Sequence, residues 1–194
     1  MITALVLAGA LAVAPLSTAE LKQALLTKKD FGKGTAVLVG ESDAGIVSRF
    51  WVDNARCMDA LKAYDEVFGG SHPTVTTVGK VAALQQVFTG DAATIKIMKS
   101  AASKVWPACD GQTTLHRKHV FKRKKVANLG DATYAFEISF NYVPAFVSEF
   151  VLVAYKSGVI VYQGKSAKGH STWPTTVKNT KKAVAKLKKL YAKR

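Results

Sequence analysis

The densest run of chemistry-capable side chains is His116-Arg117-Lys118-His119-Val120-Phe121-Lys122-Arg123-Lys124-Lys125. Positions 117–125 hold six Lys or Arg in nine residues and no acid. Cations at this density can neutralise the backbone of a polyanion, and an aromatic among them adds a stacking surface. On a strand, side chains alternate between faces. That places Arg117, His119, Phe121, Arg123 and Lys125 on one face and Lys118, Lys122 and Lys124 on the other. The expected polyanion-binding set is therefore Arg117, Lys118, His119, Phe121, Arg123 and Lys125, extended by Lys181, Lys182 and Lys186 near the C-terminal end. Lysines on an edge strand also block aggregation, so a solvated edge accounts for the same residues without a partner.

Thiols and imidazoles are the other candidates. Cys57 and Cys109 are the only cysteines. An even count in an oxidising compartment is expected to give one bridge, contributing roughly 4 kcal/mol in the chain-entropy account. There is no CxxC, and the only close histidine pair, His116/His119, would point to opposite faces of a strand, so no metal is expected. Gly158 to Ser166 (GVIVYQGKS) is similar to a phosphate-binding loop, but its glycine spacing is one residue too long and it opens no helix. Gly32-Lys33-Gly34 precedes a strand, the wrong side for a dinucleotide. No GxSxG elbow occurs. The expectation is a binding protein with no catalysis and no cofactor.

The charge pattern bears on the partner. The chain has 194 residues, with 28 Lys+Arg against 13 Asp+Glu and a formal charge of +15. Residues 1–110 are nearly balanced, with 11 basic and 10 acidic side chains, whereas residues 111–194 carry 17 basic and 3 acidic ones, Asp131, Glu137 and Glu149. Such asymmetry points to nucleic acid, an anionic membrane or an anionic wall polymer, or to a lysine-rich face kept for solubility. A hydrophobic content of 48% is ordinary for one globular domain.

Residues 1–19 carry no charge, and the apolar run Ile2 to Ala14 is too short to span a bilayer. It has the length of a secretory signal core, followed by Ser17-Thr18-Ala19, small at the two positions a signal peptidase reads. No Lys or Arg precedes the run, which points to a true start upstream or to an assigned Met1 that is internal. The expected division is a signal peptide at 1–19 and a single extracytoplasmic domain at 20–194. A buried N-terminal helix or strand is the rival reading.

These residues must be positioned by the following elements. Glu20–Thr27 predicts a short helix, Thr35–Gly40 a strand and Ile46–Val52 a second strand. Cys57, Leu61, Tyr64 and Phe68 share one helical face, stopped by Gly69-Gly70. Thr74–Thr89 predicts strands broken near Gly79, then Asp91 caps a helix with Ile95, Met98, Ala102 and Val105 on one stripe, ended by Pro107. The bridge would then tie two helices side by side. Residues 113–126, 132–140, 145–156 and 158–164 predict successive strands, and Pro174–Lys193 an amphipathic helix. The aromatics Trp51, Trp106, Tyr134, Phe136, Phe140, Tyr142 and Phe150 read as core, with Trp173 the one expected at the surface. The order gives an α+β fold, a mainly antiparallel sheet with helices packed on it.

Leu25-Leu26-Thr27 with Asp30 and Gly32, Cys57 leading one helix and Cys109 ending another, Leu129-Gly130-Asp131 before a strand, and Gly158 in the closing hairpin carry a family likeness. In this order they resemble the extracellular sensor domain of actinobacterial PknH-type serine/threonine kinases, and still more its stand-alone secreted relatives. The resemblance implies a PsbP-like sandwich, a twisted antiparallel sheet with helices, and a role in binding or sensing at the cell envelope. Independently of that likeness, the leading expectation is a monomeric binding module using a sheet cleft, for a small or hydrophobic ligand, or its basic face. Kinase sensor domains of this type carry two disulfides, whereas this chain can make one, and its lysine load is foreign to the pattern. The fold transfers and the ligand does not. A secreted polyanion binder, or an inhibitor or accessory protein contacting another protein, are the alternatives.

Overall fold

The computed structural model describes residues 14–43, 54–111, 120–140, 145–167 and 169–194. The strand expected at Ile46–Val52, with Trp51, lies outside the described residues, as do Tyr142 and the first part of the basic run, Arg117, Lys118 and His119 included.

In chain order the elements are α1 (Thr18–Ala24), α2 (Lys28–Phe31), β1 (Thr35–Asp43), α3 (Ala55–Phe68), β2 (Ser71–Gly79), β3 (Ala82–Thr89), α4 (Ala92–Cys109), β4 (Val120–Arg123), β5 (Ala132–Phe140), β6 (Phe146–Tyr155), β7 (Gly158–Ala167) and α5 (Trp173–Ala192). The strands form one 7-stranded sheet, ordered β1-β2-β3-β7-β6-β5-β4, with every neighbouring pair antiparallel.

Helices cover both faces of this sheet. On one, Leu61, Tyr64 and Phe68 of α3 and Ile95, Met98 and Val105 of α4 pack with Phe88, Phe136, Phe150 and Leu152. On the other, Leu21 and Ala24 of α1 and Val184, Leu187 and Tyr191 of α5 pack with Val75, Val87, Val151, Ile160 and Tyr162. β6 and β7 lie in the middle and are buried on both sides. This is why their sequences read as near-continuous apolar runs and lack clean alternation.

Cys57 near the start of α3 and Cys109 at the end of α4 are bonded, with Cα atoms 4.8 Å apart. The expected tie between two neighbouring helices is present. Two local readings differ. Pro107 does not end α4, which runs on to Cys109. Proline lacks only its own N–H, and in the last turn the lost bond is single. The turn expected at Asp30–Gly34 begins with the short helix α2, held by the Thr27 N–H and hydroxyl, which both donate to Asp30 Oδ2, at 2.8 and 2.9 Å.

Two contacts seat the helices on the sheet. Buried Gln85 on β3 accepts from the Leu26 N–H at 2.8 Å and donates to the Ala24 carbonyl at 3.1 Å, which fixes the end of α1. Gly164 on β7 lies directly under α5, where a Cβ would overlap Thr176 Oγ1.

Candidate functional site

The described part of the basic run splits by environment. Phe121 is 2% exposed and sits in the core under α4, with Cys109 and Phe136 around it. The expected exposed aromatic among cations is therefore not there: Phe121 is buried under α4, while Arg123 and Lys125, expected on the same face, are exposed. β4 ends at Arg123, before the expected end at residue 126, and the expected residues 113–119 lie outside the described residues. Its start is held by Gly111 N–H donating to the Phe121 carbonyl and its end by Arg123 N–H donating to Asp110 Oδ1, each at 2.9 Å. Lys122, Arg123 and Lys125 are exposed. Lys124 turns to the other side, pairing with Glu137 at 3.0 Å and lying 5.1 Å above the Trp173 ring, so Trp173 is half-buried beneath a cation.

The three lysines expected from α5 also separate. Lys181 is exposed. Lys182 donates to the Asp30 carbonyl, and Lys186 donates to the Leu25 carbonyl at 2.9 Å and pairs with Asp30 at 2.7 Å. Those two cations clamp α2 to α5. Lys181 alone of the three extends the exposed basic surface.

The three acids of this half are all engaged. Glu137 pairs with Lys124, and Asp131 Oδ2 accepts the Lys156 N–H at 2.7 Å. Glu149, 1% exposed on β6, accepts hydroxyl bonds from Ser171, Thr172 and Thr176 at 3.2, 2.8 and 3.1 Å, at the start of α5. Only Glu137 of the three pairs with a cation, while Asp131 and Glu149 are bonded to a backbone N–H and to hydroxyls.

A cavity of about 460 Å³ opens beside the first turns of α4. Pro15, Ala92 and Ile95 give it apolar walls, and Lys96, Lys99 and Lys156 bring cations to it. Lys156, in the β6–β7 turn, has φ of 52°, a conformation uncommon outside glycine. Its side chain lies over the rings of Tyr155 and Tyr191, at 5.8 and 5.5 Å. The three wall segments are far apart in sequence, so no local pattern announces this site.

The perturbed ionisable groups follow from capping and burial. The Ser17 backbone and hydroxyl bonds, with Arg194, hold Glu20 at about 2. Thr94 bonds hold Asp91, which caps α4, below its ordinary value. Burial pushes Tyr162 up to about 12 against the opposing bond from Asn179. Among the described residues no group of three His, Cys, Asp or Glu side chains converges as metal ligands would.

Two solved structures share this arrangement of sheet and helices. The extracellular domain of PknH from Mycobacterium tuberculosis matches with a TM-score of 0.60 at 13% identity, over 91% of this chain and 98% of that one. The fold is that of the PknH extracellular domain. A putative uncharacterized protein from Mycobacterium smegmatis matches with a TM-score of 0.53 at 9% identity, over 86% of this chain and 95% of that one. No protein-family model and no curated protein matches the sequence. The resemblance read from the motifs is thus met at the level of the PknH-type fold. In this chain that fold carries a single bridge, and among the described residues no helix is long and apolar enough to cross a membrane.

Proposed function

We propose that the chain is a non-catalytic, sensor-like binding domain outside the cytoplasm, whose ligand has an apolar body and an anionic head. The cavity beside α4 carries this reading: its volume suits a small molecule, its walls are mostly apolar, and Lys96, Lys99 and Lys156 outnumber its one acid, Asp91, which is taken up in capping α4. The shared fold and the disulfide support the compartment. The test is a titration with a long-chain carboxylate and the alcohol of equal length. The carboxylate is expected to bind more tightly, and Lys96→Gln with Lys99→Gln should remove that preference. Ala92→Phe should block both. If neither molecule binds and native mass spectrometry of exported protein finds nothing retained, the reading fails.

A second reading, polyanion binding, is favoured by the excess of 17 basic over 3 acidic side chains in residues 111–194 and by the exposure of Lys122, Arg123, Lys125 and Lys181. It predicts heparin or DNA binding that weakens steeply as salt rises. Neutralising Arg117, Arg123 and Lys125 should lower affinity and flatten that slope. An unchanged slope leaves these cations as a solvated surface.

A further inference from the structure

The residues expected to leave with a signal peptide are partly built into the domain. Leu16 is 3% exposed and belongs to the core formed with α1 and α5. Its N–H donates to Thr89 Oγ1 at 3.0 Å, on the last residue of β3. Ser17 caps α1: its hydroxyl accepts the Glu20 N–H at 3.3 Å, while Glu20 Oε2 accepts the Ser17 N–H at 2.7 Å. The junction between Ala19 and Glu20, which the small residues alone single out, falls inside the first turn of α1.

Contacts from the far end of the sequence reach the same segment. Arg194 pairs with Glu20 at 2.7 Å and donates to the Ala14 and Pro15 carbonyls at 2.7 and 3.3 Å. The Ser157 hydroxyl donates to the Ala14 carbonyl at 3.2 Å and shares a 2.7 Å bond with the Tyr191 hydroxyl. A cut after Ala19 would delete the helix cap and a core leucine. It would also leave a positively charged amine on Glu20 at the positive end of a helix, where charge of that sign is unfavourable.

A second peptidase pattern lies upstream. Ala10-Leu11-Ala12 is small at both positions read before the scissile bond, and Ile2 to Gly9 falls within the roughly 7–15 residues of an apolar core. A whole leader of roughly 15–30 residues with a basic start, cut there, needs a start upstream of Met1. Ala12-Val13-Ala14 fits the same rule but puts Pro15, which has no N–H, directly after the bond. We propose that the exported chain is cut between Ala12 and Val13, and that residues 14–19 remain as a strap closing α1 against β3, the β6–β7 turn and Arg194. The proposal rests on the reading that the chain is exported.

The experiment expresses the full chain with its leader in an actinobacterial host and reads intact mass and N-terminal sequence from the exported fraction. A start at Val13 is expected. Any start after Ala14, including Glu20, overturns the assignment, and an uncut chain overturns export with it. Ala12→Leu should abolish the Val13 start, whereas Ala19→Leu should leave it unchanged. Separately, purified chains beginning at Val13 and at Glu20 are compared by urea unfolding. The shorter chain should unfold at lower urea, and Leu16→Ala should lower the midpoint of the longer one. Equal midpoints for the two chains would show that the strap contributes nothing, which overturns it as well.

Discussion

Glu149 reaches from the middle of β6 to the residue that precedes α5, accepting the Thr172 hydroxyl at 2.8 Å while Thr176, one turn on, donates to the same oxygen at 3.1 Å. A carboxylate at a helix start satisfies groups that have no partner within the helix and suits the local dipole. Glu149→Ala would strand buried hydroxyls and should lower stability by about 2–4 kcal/mol, whereas Glu149→Gln keeps an acceptor and should cost about 1 kcal/mol. Urea unfolding of both variants checks the order.

The lysines of α5 should behave unequally. Lys186→Ala removes the clamp on Asp30 and the Leu25 carbonyl, and should cost about 1–2 kcal/mol. Lys181→Ala changes an exposed side chain and should stay within about 0.5 kcal/mol of the parent. Equal effects would mean that the clamp is not formed in solution.

Acid should weaken the same corner. Glu20 is held at about 2, below its ordinary value of 4.5, by Ser17 and Arg194. Burial pulls Asp30 upward, but Lys186 and the Thr27 bonds outweigh it and hold the carboxyl below its ordinary value. Both groups bind fewer protons folded than unfolded, so their contribution is complete above the ordinary carboxylate range. That of Glu20 is lost as pH falls from about 4.5 towards 2, and that of Asp30 is lost in the same acid direction. Thermal midpoints of the parent and of Glu20→Gln should differ at neutral pH and converge near pH ~2.

Reduction tests the bridge. Replacing Cys57 and Cys109 by serine should lower stability by about 2–5 kcal/mol, read as a shift in urea midpoint. Because the bond joins α3 to α4, hydrogen exchange should accelerate first in those two helices.

Periodicity made most of this fold legible. The stripe Cys57, Leu61, Tyr64 and Phe68 gave α3, and the apolar runs after Asp131 gave β5, β6 and β7 with the hairpin at Ser157-Gly158. The site was harder to read because its pieces meet only through tertiary packing. Phe121 shares its expected face with Arg123 and Lys125, and nothing near it in sequence says that α4 covers it while they stay exposed. Lys182 and Lys186 belong to the polar stripe of α5, yet they are taken up by α2, a four-residue helix whose position depends on the whole N-terminal segment. The cavity draws on Pro15, Ile95 and Lys156, which no local pattern connects. Glu149 read as one of few acids in a basic half, and its hydroxyl partners arrive only when α5 docks.

The strand order also has a kinetic meaning. β1, β2 and β3 pair with sequence neighbours, or nearly so, and β4 to β7 form a meander, so each half of the sheet can assemble from nearby residues. Within the sheet the two halves meet along β3 and β7, from Ala82 paired with Lys165 to Thr89 paired with Gly158. Closing that seam requires α4 and the whole meander to be looped out first, and contacts so distant in sequence slow a folding reaction. A chain emerging N-terminus first cannot complete its central pairing until β7 has appeared. Until then the apolar faces of β3 and β6 stay open.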